Sequence, residues 1–457
     1  MKILSIEVFG IVTLVVILLT PFIKLKNHFF IMVFFSLFTA TAAFNIEKGG
    51  LSLSIIPVHL IGMTFALRMM INIVKKRAIH KKSIWLTLFV LWSTISVVLL
   101  PIIDDYIPNH VTVRHYFSGE GFDPIAFSTG NVTQLAYLLF GYIIYFVTVE
   151  YIMSSRDPFK LINQTITVLV AASIVICFIG IYEMIAKFLN LPYTEIFRNF
   201  SGVVIYTNYR ISSVAHEPSM FAYCIIICAA LMCFHNSSNT LLRKNKNKFF
   251  LFIILVGLFS TSTTFLLGFL ILLFYASNDY VNTKKLNMFA SAKFYFSILG
   301  IAFSGYWLLN IPFIKEKTVG RAVETLTFSN FSGADRIEKV IHHLDAFTYS
   351  PILGLGFGTT RSYDAFTTIL CNLGIIGMLI FILYVFTSIR KINKVKRGSN
   401  KDIAKSLQAA FICWLIMFMI SVPEMYFIYL WILFALIEVT IATQKKQPAN
   451  SFNEKKI

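Results

Sequence analysis

Long apolar runs separated by short polar segments dominate the chain. Runs close to the roughly 20 residues a helix needs to cross a hydrocarbon core lie near 4–23, 29–46, 51–74, 84–103, 131–153, 165–189, 217–235, 248–276, 293–314, 364–389, 407–421 and 424–442. The pattern predicts a polytopic, all-α membrane bundle of about 12–13 transmembrane helices. Between the last two runs, Ser421-Val422-Pro423-Glu424 supplies a helix stop and a restart, so two spans joined by a tight turn are expected. The 248–276 run holds a polar centre, Ser260-Thr261-Ser262-Thr263-Thr264, and reads as one span or two short ones. The first run ends at Thr20-Pro21 without a small-residue cleavage site, which fits a retained span better than a cleaved signal.

Charge sets the expected orientation. Basic loops mark the cytoplasmic face, and the segments at 243–248, 277–293 and 390–405 are all basic. They share a face only if residues 248–276 cross twice, which gives an N-terminus outside and a C-terminus inside. On that topology the cytoplasmic loops are short. The longer segments, 104–130, 190–216 and 315–363, lie outside, and loops of that length are commonly functional. Residues 1–457 then form a single transmembrane domain with two notable outer loops. One, at 190–216, carries Arg210; the other, at 315–363, is a large extracytoplasmic loop with an amphipathic helix.

Composition agrees. The 457 residues are 57% hydrophobic, 16% aromatic and 14% charged, against roughly 25% charged in an ordinary soluble domain. A net charge of +18 would suggest nucleic acid for a soluble protein, but here it follows from cytoplasmic Lys and Arg, so no nucleic-acid partner is expected. The six cysteines fall inside apolar stretches, which argues against a disulfide framework. There is no Walker A glycine loop and no Asp-x-Asp, so ATP-driven transport and cytosolic sugar-nucleotide chemistry are disfavoured.

Three outer segments carry candidate chemistry. In Arg210-Ile-Ser-Ser-Val-Ala-His216-Glu217-Pro218-Ser219, an outer loop runs into a span. A plain helix start explains Glu-Pro-Ser, whereas Arg210 is placed to hold a phosphate. In Ala334 to Phe347, Ile337, Ile341, Leu344 and Phe347 form an apolar stripe opposite Arg336, Lys339 and His343, and a helix lying on the membrane surface is the alternative reading. His342, His343 and Asp345 lack the i, i+4 His pair of a helical metal site, so no metal is expected. The third segment, Ser350-Pro351-Ile-Leu-Gly354-Leu-Gly356-Phe-Gly358-Thr-Thr-Arg361-Ser-Tyr363-Asp364, precedes a span containing Gly374-Ile-Ile-Gly377. Its glycines let backbone approach a ligand or another helix closely, or simply turn the chain back to the membrane. Arg68 and Lys187 are lone basic residues within spans, a functional hint by default, although Lys187 has Glu183 one turn away as a partner.

Together these segments resemble the Wzy-type polysaccharide polymerase and O-antigen ligase superfamily. The resemblance rests on Arg210 to Ala222, on Ser260-Thr-Ser262 in a broken helix pair, and on Arg336 to Gly377, and so covers about residues 195–380. It implies a GT-C-like enzyme of the bacterial cytoplasmic (inner) membrane that acts on undecaprenyl-diphosphate-linked oligosaccharides at the outer face. A polymerase transfers the growing glycan to a sugar hydroxyl of the next lipid-linked repeat unit. Its partners would be the lipid-linked oligosaccharide, the bilayer, a chain-length-regulating co-polymerase and a flippase. No cofactor is implied. The ligases carry a His-Asn pair where this chain has Tyr363-Asp364, a departure that favours polymerase over ligase. Under this reading Arg210, Arg336 and Arg361 bind the diphosphate, Asp364 and Glu217 activate the acceptor hydroxyl, and His342 and His343 stand behind them. Such a transfer needs fixed cations where charge develops on the leaving diphosphate. The competing class is a flippase, which would line a central cavity with cations and show internal pseudo-symmetry. The chain shows neither in its sequence.

Overall fold

A computed structural model describes residues 2–48, 51–76, 79–108, 110–114, 122–201, 210–237, 239–284, 331–396 and 400–446. The run expected at 293–314 and the first part of the 315–363 loop lie outside the described residues. The rest is a helical bundle. Among the described residues six helices are long and apolar enough to cross a membrane: Pro57–Val74, Ile84–Asp104, Thr129–Met153, Pro158–Leu189, Ala365–Val395 and Lys401–Ile420. Their outward residues, such as Val98, 69% exposed, and Phe178, 57% exposed, present bare hydrocarbon that lipid would cover.

At the centre stands Pro218–Phe234, in which every residue from Met220 to Met232 is buried. A helix apolar on all sides belongs inside a bundle. It packs against Pro158–Leu189, Lys246–Leu258, Thr263–Lys284 and Lys401–Ile420. The polar centre of the 248–276 run breaks the chain into two helices, Lys246–Leu258 and Thr263–Lys284, with Thr261 at a left-handed φ of 46°. Gly257 makes room for the Phe265 ring at this break, since a Cβ there would sit 2.0 Å from it.

Two of the expected spans take another form. The 4–23 run divides into strand Lys2–Ile6 and helix Val8–Leu19, and the 29–46 run into helix Leu25–Phe35 and the start of strand Phe44–Lys48. With Leu51–Ile55 these strands form a three-stranded antiparallel sheet, Ile3 opposite Glu47 and Ile46 opposite Leu53. The reason lies in Leu51-Ser-Leu-Ser-Ile, whose period-two alternation is a strand pattern that a long apolar window conceals. At about 1.5 Å per residue, the 12- and 11-residue helices are shorter than the roughly 30 Å hydrocarbon core.

The connecting segments separate to two ends. At one, Asn45 Nδ2 donates to Asn199 O at 2.9 Å, Ala40 N to Val214 O at 2.7 Å, and Arg361 N to Arg114 O at 3.1 Å. The sheet, residues 190–201 and 210–217, the 347–364 segment and the 421–427 linker gather at this end, where Ile56, Phe200, His216, Arg361 and Glu424 line a common cavity. At the other end Asn236 Nδ2 donates to Asp402 Oδ2 at 2.9 Å and Lys405 pairs with Asp279 at 2.8 Å. There His80 and Lys82 meet Glu150, and Arg68 donates to Ile23 O at 3.1 Å, fastening the preceding turn.

Candidate functional site

The site is built at the first end from four segments, each fixed by its own local device. Glu183 anchors the segment that leads to Glu217. It is fully buried, pairs with Lys187 at 2.8 Å and Arg198 at 3.6 Å, and accepts from Ser212 N and Ser213 N at 2.8 and 2.7 Å. Arg198 in turn donates to the carbonyls of Ala215 and His216. Ser213 adopts a left-handed φ of 51°, and its carbonyl receives the Tyr193 hydroxyl. His216 and Glu217 therefore enter the helix at Pro218 from a backbone held on both sides.

Glycine packing positions Arg361. Gly354, Gly356 and Gly358 have φ of 80°, 86° and 81°, and Gly374 kinks the helix Ala365–Val395 at φ 65°. Gly354 and Gly374 lie back to back: a Cβ on the first would fall 2.5 Å from Gly374 N, and one on the second 2.2 Å from Ile352 O. The close approach anticipated for these glycines is thus to a helix. Leu355 N donates to Cys371 O and Ile375 N to Pro351 O, while the Asn372 amide brackets Thr360 through its N–H and its carbonyl. Arg361 follows directly and donates from Nη2 to Glu424 Oε1 at 2.7 Å.

The helix Phe331–Phe347 supplies the third segment, turned opposite to a surface-lying helix. Lys339 and His343 are buried, whereas Ile341 is 62% exposed. The basic stripe instead meets Tyr363. Arg336 lies 5.0 Å, Lys339 5.2 Å and Arg114 5.8 Å from its ring centroid, within cation–π range, and Lys339 and Arg114 also reach its hydroxyl at 3.4 Å. Among the described residues Arg336 makes no hydrogen bond or ion pair, and its Nε is buried. The 421–427 linker is the fourth segment and contributes Pro423 and Glu424.

Two adjoining cavities result. The first, about 560 Å³, is lined by Arg114, Arg336, Arg361, Tyr363, Ser219 and Ser421 to Glu424. The second, about 960 Å³, is lined by Thr39, His59, Gln134, Tyr137, Phe200, His216 and Tyr426 among others. Glu217, Met220, Arg361 and Glu424 line both. One chamber is cationic and the other aromatic, and a carboxylate-guanidinium wall joins them. Neither the known families nor the curated proteins offer a match to this chain.

Electrostatics differ across the wall. Burial pushes the Glu424 carboxyl above the usual carboxylate range, with Arg361 opposing and Glu217 reinforcing the shift. Burial also lowers His216 to about 4, helped by Arg198 and Arg361, so its ring is neutral at physiological pH.

The residues singled out by sequence are divided by the fold. Arg336, Arg361 and Glu217 come together. Arg210 stands apart, donating from Nε to Ser260 O at 3.3 Å at the helix break, and lines neither cavity. Asp364 is the N-cap of the kinked helix; Oδ1 accepts from Thr367 N at 2.7 Å and Oδ2 from Ser362 Oγ at 3.0 Å, so both oxygens serve the cap. His342 sits 3.0 Å from Thr112 Oγ1 and 4.1 Å from the Phe122 ring, and His343 Nε2 accepts from Arg114 N. Both position the 110–114 segment behind Tyr363. In the sequence Glu424 reads as a helix restart, and Arg114 belongs to none of the three candidate segments. An acidic residue between two apolar runs was the available signal for Glu424; Arg114 carried none.

Proposed function

We propose that the protein is a polysaccharide polymerase of the Wzy type, a GT-C-like bundle of about 12–13 spans in the bacterial inner membrane. It transfers a glycan from undecaprenyl diphosphate to a sugar hydroxyl of the next lipid-linked repeat unit. The observation that carries this reading is the pair Arg336 and Arg361 in a cationic cavity that shares a wall with an aromatic chamber. The basic segments at the opposite end support placing that end in the cytoplasm and the site outside, with the N-terminus outside and the C-terminus inside.

In this reading the diphosphate sits against Arg336, Arg361 and Arg114. Guanidinium forks match phosphate oxygens and stabilise charge as the glycosidic bond breaks, the part a metal ion plays in other transferases. Aromatic faces in the neighbouring chamber suit sugar rings. Tyr363 is the hub of the cation cluster and Asp364 a helix cap, so the pair that departs from the ligases does structural work here, which favours repeat-unit polymerisation over ligation. A flippase upstream and a chain-length-regulating co-polymerase are the expected partners.

The test is Arg336→Ala and Arg361→Ala in the native host at matched membrane abundance, with surface glycan size read on a gel. Each variant should leave single repeat units where the wild type makes a ladder, since removing one donor to a developing charge typically costs about 10²–10³ in rate. A ladder in both variants overturns the site. Repeat units stranded on the cytoplasmic side would identify a flippase.

A further inference from the structure

We propose that Glu424 is the catalytic base, its carboxylate accepting the proton of the acceptor sugar hydroxyl presented from the aromatic chamber. The inference rests on the transferase reading above. Glu424 is 1% exposed and lines both cavities. Arg361 holds its Oε1 at 2.7 Å, while Oε2 has no hydrogen-bond partner among the described residues. A buried carboxylate oxygen left unmatched is costly, and a retained cost of this kind at a cavity wall is what a group awaiting a substrate proton incurs. Neither rival carboxylate has this combination. Asp364 commits both oxygens to its cap, and Glu217 is less buried and accepts from Ser219 Oγ at 3.2 Å.

The step balances within the site. The acceptor oxygen forms the new bond to the anomeric carbon as its proton passes to the Glu424 carboxylate. The bond from that carbon to the diphosphate oxygen breaks, and the electron pair leaves on the diphosphate, against Arg336 and Arg361. Glu424 then returns the proton to solvent. The groups that face it are Arg361 and Glu217 from neighbouring loops and Tyr223 from the central helix. Burial outweighs Arg361 and raises the carboxyl above the usual carboxylate range, the direction that strengthens a general base.

The experiment uses the full chain in proteoliposomes, with lipid-diphosphate-linked repeat units as substrate and undecaprenyl diphosphate as the binding probe. Glu424→Gln, Glu424→Asp, Glu217→Gln and Arg336→Ala are compared. Glu424→Gln should lower single-turnover transfer by about 10²–10⁴, keep probe affinity within about threefold, and abolish the acidic limb of the pH-rate profile. Glu424→Asp should retain part of the rate and the limb. Transfer by Glu424→Gln above a tenth of wild type overturns the assignment. So does a parallel loss of probe binding, which would make Glu424 a positioning residue for Arg361, and so does a flattened pH profile in Glu217→Gln alone. If wild type transfers nothing, or Arg336→Ala is fully active, the transferase reading itself fails.

Discussion

Arg361 reaches Glu424 from a turn that exists because Gly354 and Gly374 touch backbone to backbone, and Gly374→Ala tests that arrangement. The new Cβ would meet Ile352 O at 2.2 Å and Gly354 N at 2.7 Å, neither of which can rotate away. Gly374 also sits at φ 65°, ψ −170°, a region that costs other residues about 1–3 kcal/mol. Parting the two strands of backbone would loosen the Leu355–Cys371 and Ile375–Pro351 hydrogen bonds, at about 1 kcal/mol each. The total is roughly 3–5 kcal/mol. Gly356→Ala is the control. Its φ of 86° carries a penalty, but the nearest atoms are the Leu100 side chain at 3.0–3.3 Å, which can shift, so about 1–2 kcal/mol is expected. Unfolding of the detergent-solubilised chain is read with a thiol-reactive dye, because Cys177, Cys224, Cys228, Cys371 and Cys413 are buried and react only on opening. Gly374→Ala should unfold well below Gly356→Ala and lose the glycan ladder with it. Equal melting of the two variants would refute the back-to-back packing.

Three further outcomes follow from the same geometry. Asp364→Asn keeps an N-cap of equal quality, so stability should change by less than about 0.5 kcal/mol and the ladder should persist; a lost ladder at normal abundance would restore Asp364 as the base. Glu424→Gln should be more stable than wild type at pH 8, with the advantage fading toward pH 4. The folded carboxyl is raised by burial, so the native state binds more protons than the unfolded chain, and wild-type stability falls as pH climbs through that range. A constant difference across pH in the same dye assay would contradict this. Glu183→Gln removes the buried carboxylate facing Lys187 and Arg198 and should cost about 3–5 kcal/mol, as for other buried pairs stripped of one partner. Wild-type melting of that variant would mean that the 210–217 segment is held by other contacts.

What could be read from the sequence was local. Glu-Pro-Ser marked the helix start at Pro218, the Ser-Thr run marked the break at 259–262, and four-residue spacing paired Lys187 with Glu183. The amphipathic spacing of 334–347 was also legible, but not its sense. Burial of Lys339 and His343 depends on Tyr363 and the 110–114 segment, which are distant in sequence. The same limit concealed Glu424. Its neighbours Val422 and Pro423 describe a turn, and only the packing of the linker against the glycine segment brings Arg361 to it. The short sheet was missed for a different reason: strands of five residues leave two or three alternations, which a window sized for membrane helices averages away.

The interior of the bundle bears on whether the molecule transfers or transports. Beneath the cavities, Phe381, Phe411, Trp414, Phe418 and Phe434 are all buried and in mutual contact. Trp414 lies 5.2 Å from Phe418 and 4.8 Å from Phe434, centroid to centroid. A diphosphate-bearing headgroup passing through this part of the interior would have to part the stack and leave its charge among apolar rings, a cost of several kcal/mol per unmatched group. Arg114, Arg336 and Arg361 instead line one cavity at one end, on rigid supports: a glycine-welded turn, a buried Glu183 cluster and a capped helix. Fixed donors at one face are poorly suited to carrying a charged headgroup across but well suited to stabilising charge that appears during a reaction.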